Sequence, residues 1–235
     1  MRDRFEGPNP PSPWAPSSLL TQLPAGDMEA LLVAGSPRTF ARGDWLMLLG
    51  EPGTYVVVLT SGCVKVLGDP ADGRTTLLAV RAAGDVVGEL AVLDGQPRSA
   101  SVLAASQVRG RLIEARAFRS LLATRPNIGH VMHRVVAAKL RRQIRHRIDI
   151  GARPVAVGLA RIIEHLGTEY GQPIPEGTLI AVPLSQPELA ALVSAERSSV
   201  ERALRRLRER GAVRTGYRRV IVTDWAALRA VAAGP

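Results

Sequence analysis

The stretch over residues 184–213, LSQPELAALVSAERSSVERALRRLRERGAV, constrains this chain most. Ser185 and Glu188 stand three apart, the spacing of a helix capping box. Leu189, Leu192 and Val193 then recur on one helical face. Val193-Ser194-Ala195 is a connection short enough to fix an angle between two helices. A second helix is expected over about 196–210, with Val200, Ala203, Leu204 and Leu207 as its apolar stripe. Gly211 suits the position just past its end. The other faces carry Arg197, Ser198, Ser199, Arg202, Arg205, Arg206 and Arg208 with Glu201 and Glu209. This is the pattern of a helix-turn-helix, in which the second helix offers its N-terminal polar side chains to the DNA major groove. The expected contacts are Ser185 and Gln186 at the start of the first helix, and Arg197, Ser198, Ser199 and Arg202 on the second. An arginine fork matches guanine O6 and N7, with about 1–3 kcal/mol of discrimination per good pair. Taken alone, the same pattern also fits an ordinary solvated amphipathic helix. Residues 213–222, VRTGYRRVIV, read as a hairpin with an arginine-bearing turn. This wing would set Arg214, Arg218 and Arg219 against phosphates. Asp224 can cap a last short helix, WAALRAVAA.

Charge agrees with a polyanionic partner. The 235-residue chain carries a formal net charge of +10, and its pI is near 11.1. Its distribution says more than its total: residues 194–220 hold nine arginines against three glutamates, and residues 1–125 are much closer to balance. Lys65 and Lys139 are the two lysines. A lone Cys63 gives no intramolecular disulfide and cannot build a four-cysteine metal or iron–sulfur site. No basic region followed by an apolar run opens the chain, and no stretch reaches ~18 apolar residues. A cytoplasmic protein without membrane contact is expected.

The length has room for two modest domains. Residues 1–17 are proline-rich and expected to be poorly ordered. Residues 18–33 suggest one short helix. Over 37–117, short apolar runs are punctuated by glycine, as in TYVVVLTSG and CVKVLG, which indicates a small antiparallel barrel or roll. Within it lies GDVVGELAVLDGQPRSASV, residues 84–102. Gly88 permits close backbone approach, a helical turn at 89–93 offers amide groups, Arg98 supplies a planar cation, and Ser99 a hydroxyl. Glu89 could accept from sugar hydroxyls. A long helix over 127–150 carries Val131, Val135, Val136, Leu140, Ile144 and Ile148 at three-to-four spacing, a stripe that needs a partner. The expected division is thus 1–17, a roll over 18–126, the long helix over 127–150, and a DNA-binding unit over 151–235.

The order of glycine-rich roll, GEL…RSA loop, long helix and winged helix-turn-helix resembles the CRP/FNR superfamily of bacterial transcription regulators, over about residues 18–232. The resemblance implies an α+β fold: an N-terminal antiparallel, jelly-roll-like β-roll of the cyclic-nucleotide-binding kind, a dimerisation helix, and a C-terminal winged helix-turn-helix. GELAVLDGQPRSASV is similar to the family's phosphate-binding cassette. In cyclic-nucleotide-binding members, the residues at the positions of Gly88, Glu89, Leu90, Arg98, Ser99 and Ala100 hold the ribose and cyclic phosphate. The resemblance also implies a twofold homodimer, with Val136, Leu140, Ile144 and Ile148 at its seam. Two such units would address the half-sites of an approximate palindrome in double-stranded DNA. RNA polymerase is the further expected partner.

Two departures stand out. The family's cyclic-AMP receptors carry on the long helix a Thr, then a Ser or Asn, that meet adenine. The matching positions are read here as His146 and Arg147, with Arg142 one turn earlier on the same side. Arg142 and His146 therefore complete the expected effector set, and the effector could be cyclic AMP, cyclic GMP, another small molecule, or none. The family's common recognition helix has Arg-Glu where this chain has Arg197-Ser198, so the half-site should be relaxed at one base pair. The leading expectation is a DNA-binding transcription regulator controlled by a cyclic nucleotide, with no tightly bound cofactor. The alternatives are a ligand-independent regulator with a vestigial pocket, one that answers to a different effector, and a sensor module for a kinase or channel. An enzyme is disfavoured, because no nucleophile–base–acid set is present. The four histidines (130, 133, 146 and 165) all lie outside the roll, which argues against a haem sensor.

Overall fold

A computed structural model describes residues 14–68, 76–149 and 154–234; over 145–149 it describes the backbone alone. The chain opens with α1 (Leu19–Gln22) and α2 (Ala25–Val33). These replace the single helix expected over 18–33. Pro24 lacks an N–H and holds Leu23 extended, at ψ 144°, so the helix must break there. Of residues 14–17, expected to be poorly ordered, all but Pro16 are at least half-buried. Ala15 is buried, and the Ser17 hydroxyl donates to Glu169 at 2.6 Å. The rest of the expected N-terminal segment lies outside the described residues.

The roll follows as β1 (Ser36–Phe40), β2 (Trp45–Met47), β3 (Tyr55–Ser61), β4 (Cys63–Gly68), β5 (Thr76–Ala82), β6 (Val86–Val87), the helix α3 (Glu89–Asp94), β7 (Ser101–Ala104) and β8 (Val108–Glu114). Two antiparallel four-stranded sheets result, ordered β1-β8-β3-β6 and β2-β7-β4-β5. The alternation of side chains along a strand lets β3 serve two cores. Val57 and Leu59 point into the interior between the sheets, with Leu46, Val64, Val102 and Val108. Val56 and Val58 point outward, under the helices.

Those helices are α1, α2, α4 (Ala115–Thr124) and the first half of α5 (Pro126–Asp149). Val131 and Val135 of α5 are buried with Phe118 and Ile113 in that outer core. Further along the same stripe, Leu140 is 59% and Ile144 49% exposed. One apolar stripe thus does two things: its first part covers the roll, and its second part is left bare. The side chain of Ile148 lies outside the described residues.

The C-terminal unit comprises α6 (Val155–Tyr170), β9 (Gly171–Ile174), β10 (Gly177–Ile180), α7 (Gln186–Leu192), α8 (Arg197–Glu209), β11 (Val213–Gly216), β12 (Arg219–Val222) and α9 (Trp225–Ala233). The strands form one antiparallel sheet, β11-β12-β10-β9. The β9–β10 hairpin was not anticipated. Pro173 and Pro175 obscure its period, and Pro173 is tolerated because β9 is an edge strand. Val200, Ala203, Leu204 and Leu207 of α8 are buried with Leu159 and Ile163 of α6. The same core takes in Cys63, Leu67, Leu77 and Val80 from the roll, so the roll and the C-terminal unit share apolar contact.

Candidate effector cavity and nucleic-acid interface

The cassette is built by two glycines and one arginine. Gly88 precedes α3 in the left-handed region, at φ 80°, and Gly95 follows it at φ 72°. A Cβ at Gly88 would lie 2.5 Å from Arg98 Nη1, so any side chain there would displace the guanidinium. Arg98 is buried, with its Cζ 4.8 Å from the centroid of the Tyr55 ring. Its Nη1 donates to Gly88 O at 2.7 Å and its Nη2 to Tyr55 O at 2.6 Å. Nε has no hydrogen-bond partner among the described residues. Burial lowers the pKa of Arg98, which fits a cation sealed against the protein. No side chain caps α3.

A cavity of about 570 Å³ opens here, within the ~300–1,000 Å³ typical of small-molecule sites. Gly88, Glu89, Leu90, Arg98, Ser99 and Ala100 all line it. The contribution of the long helix differs from the sequence expectation. Val136, Lys139, Leu140 and Gln143 line the cavity, and Arg142 does not. Residues 136, 139–140 and 143 fall on one face at 3.6 residues per turn, and Arg142 lies off it. Arg142 Nη1 instead contacts His165 Nε2 at 2.7 Å. The His146 side chain lies outside the described residues. The missed residues were legible in principle: the period running from Val136 reaches Lys139 and Gln143 before it reaches 146.

Glu89 also behaves differently from a free acceptor. It is buried and paired with Lys139, Oε1 to Nζ at 2.9 Å. Lys139 Nζ also lies 3.4 Å from Val86 O. Next to this pair, Asp85 is buried, and its pKa is raised by that burial, against the pull of Lys139 and Arg81.

The helix-turn-helix matches its sequence signature. Ser185 accepts from the Glu188 amide, and the Glu188 carboxylate accepts from the Ser185 amide, which completes the capping box. Gly211 follows α8 at φ 68°, and Asp224 caps α9 through Ala227 N. In the connection, Ser194 takes φ 50°. Arg197, Ser198 and Arg202 are exposed on the first turns of α8. Arg197 Nε is bonded to Glu201 at 2.9 Å, and Arg202 Nη2 to Ser199 Oγ at 2.9 Å. Arg214, Arg218 and Arg219 are exposed on the hairpin, with Arg218 at φ 52° in its turn. Arg208 Nη1 donates to Thr215 Oγ1 at 3.0 Å and so ties the hairpin to α8.

Ser185 and Gln186 are half-buried, because α7 packs on β5. Glu188 is shared between its own cap and the roll. Its Oε1 meets Lys65 Nζ at 2.5 Å, with the Lys65 side chain only 8% exposed. Burial would raise the Glu188 pKa, but the hydrogen bonds from Lys65 and Ser185 outweigh it, and the net shift is downward. Tyr170 donates to Val80 O at 3.2 Å across the same junction. Among the described residues no helix is long and apolar enough to cross a membrane, and no group of three potential ligands could hold a metal ion.

Comparison with known proteins agrees with this geometry. Residues 37–125 match the cyclic nucleotide-binding domain, and residues 159–231 match the Crp-like helix-turn-helix domain. The chain is 32% identical over 188 residues to a CRP-like cAMP-activated global transcriptional regulator of Mycobacterium tuberculosis, covering 80% of this chain and 84% of that protein. It is 25% identical over 223 residues to the cyclic AMP receptor protein of Thermus thermophilus, covering 93% of this chain and 98% of that one. The structure of FixK2 from Bradyrhizobium japonicum superposes with a TM-score of 0.73 at 18% identity, covering 86% of this chain and 100% of FixK2, a likeness of fold. A cyclic nucleotide-binding roll joined to a Crp-like helix-turn-helix, together with that degree of identity across both parts, makes the chain a member of the CRP-like family of transcription regulators.

Proposed function

We propose that this regulator binds a cyclic mononucleotide in the cassette cavity and, as a homodimer, an approximately palindromic DNA site. The observation that carries the effector reading is Arg98: buried, lining the cavity, and with one N–H lacking an acceptor. A buried donor without a partner costs free energy, and a bound anion would recover it. The charges lining this cavity also suit a small anion. Among the described residues, Arg81, Arg98 and Lys139 line it with one carboxylate, that of Glu89. Gln143 adds an amide, which can both donate to and accept from a base edge. Relatives described as cAMP-activated make cyclic AMP the first candidate, with cyclic GMP the second.

The bare part of the α5 stripe supports dimerisation. Leu140 is exposed there and also lines the cavity, so a partner helix would cover both at once. In the DNA reading, Arg197, Ser198, Ser199 and Arg202 address base edges and Arg214, Arg218 and Arg219 address phosphates, while Ser185 and Gln186 meet the backbone at the start of α7. A cytoplasmic location and a contact with RNA polymerase follow from that role. Titration calorimetry with cyclic AMP and cyclic GMP tests the effector. Arg98→Leu should weaken binding at least ~tenfold, the scale of one charge-assisted hydrogen bond of about 1.5–3 kcal/mol. If the wild type binds neither nucleotide at millimolar concentration, the ligand-independent reading takes its place. Selection of bound DNA from a random pool, with and without cyclic AMP, tests the palindrome and its dependence on effector.

A further inference from the structure

A second, smaller cavity of about 80 Å³ lies where the roll, the long helix and the C-terminal unit meet. Its walls include Arg81 of β5, Lys139 and Arg142 of α5, His165 and Tyr170 of α6, and Leu192 of α7. Among the described residues three cations line it and no carboxylate does. Lys139 is taken by Glu89. Arg81 and Arg142 form no ion pair among the described residues: Arg81 Nη1 donates to Val80 O at 2.7 Å, and Arg142 Nη1 to His165 Nε2 at 2.7 Å. A ring nitrogen that accepts from a guanidinium belongs to a neutral imidazole and offsets no charge. Burial, with Arg142 beside it, holds the His165 pKa down at about 4, which keeps the ring neutral. The Tyr170 hydroxyl is spent on Val80 O. Glu169, the carboxylate next along α6, accepts from the amide and hydroxyl of Ser17. Asp85 lies close enough to Arg81 to offset part of its charge, but each guanidinium has five donors and spends one among the described residues, so donors remain on both.

We propose that this hinge cavity binds a phosphate-class anion between Arg142 and Arg81. Two planar forks suit the oxygens of a phosphoryl group, and charge-assisted bonds in a sheltered site are the strong ones. Arg81, Lys139 and Gln143 also line the cassette cavity, so the two spaces adjoin. The anion can therefore be free, as phosphate or pyrophosphate, or be the outer phosphoryl group of a longer nucleotide seated in the cassette. Either way it would bridge the roll, α5 and the unit that carries α7, and so favour this placement of the helix-turn-helix over others.

Calorimetric titration of the full chain at constant ionic strength, with pyrophosphate and separately with a cyclic dinucleotide, tests this. At least one probe should bind, and Arg142→Gln should weaken it at least tenfold. Arg142→Lys, which keeps the charge and loses the fork, should recover part of that loss, and matched thermal melts establish that both variants fold. Pyrophosphate binding that needs Arg142 assigns the site to a free anion. Dinucleotide binding that needs both Arg142 and Arg98 assigns it to a ligand spanning the two cavities. The proposal is overturned if neither probe binds at millimolar concentration, if Arg142→Gln changes neither affinity, or if Arg98→Leu abolishes binding that Arg142→Gln leaves intact. Cyclic mononucleotide binding is tested separately, by its own titration and its own dependence on Arg98, so the two readings fail independently.

Discussion

The two lysines of this chain both stand in largely buried ion pairs, each with the glutamate of a motif. Lys139 holds Glu89 of the cassette and Lys65 holds Glu188 of the capping box, and the remaining basic side chains are arginines. Sequence alone gives no reason to single out either lysine, because each pair is closed by residues far apart in the chain. His165 is a second residue whose character comes from its surroundings. Its folded pKa is near 4 and its ordinary value 6.5, with burial the main cause. The unfolded chain therefore binds a proton before the folded one does. Stability from this group is complete above pH 6.5 and is lost progressively as the pH falls toward 4, by roughly 3 kcal/mol in full. Urea denaturation of the wild type at pH 7.5 and 5 should show that loss. His165→Gln should flatten it, and a wild-type stability that does not change over this interval would contradict the assignment.

Among the elements, α7 and α8 are held in different ways. The N-terminal turn of α7 depends on Glu188, which serves the cap and Lys65 together. Glu188→Gln should cost about 3 kcal/mol, because an unpaired ammonium would remain in a site that is 8% exposed. Pairing it with Lys65→Met removes that charge and should restore much of the stability, which a double-mutant cycle would detect. The recognition helix α8 and the β11–β12 wing should differ in what they read. Arg197→Ala should cost about 1–3 kcal/mol of DNA affinity and relax one base position. Arg218→Ala should weaken all sequences alike and lower the salt slope by about 1. Binding measured on matched and mismatched sites over a salt series separates the two, and unchanged preference and slope in both variants would move the interface elsewhere. The helix-turn-helix was legible in the sequence because cap, stripe and turn are all local features. The β9–β10 hairpin was not, since it is fixed by pairing with β12 rather than by its own period.

For the molecule as a whole, α5 is the element common to both cavities and to the proposed dimer. It covers the roll with Val131 and Val135, lines the cassette cavity with Lys139 and Gln143, and lines the hinge cavity with Arg142. Its bare residues Leu140 and Ile144 would meet a second copy in the proposed dimer. Ile144→Glu would place an unpaired carboxylate at that seam, at a cost of several kcal/mol to association. Light scattering should then report a monomer at concentrations where the wild type is a dimer. An intact dimer in that variant would place the interface away from α5.

The sequence by itself determined the order of parts, the cassette and the helix-turn-helix, because capping boxes, helical stripes and glycine turns each act within a few residues. It also determined that Arg98 lies in the cassette and that α5 has a long apolar stripe, whose second part the structure leaves bare. Only the tertiary structure decided which side chains of α5 turn toward the cavity: Lys139 and Gln143, with Arg142 directed to His165. A helix repeats every 3.6 residues, so an alignment offset of three residues keeps the apolar stripe and changes every polar assignment. The azimuth of α5 is fixed where α5 packs on α4 and α1, with Val131 and Val135 buried in the outer core, contacts between parts of the chain that no local pattern connects.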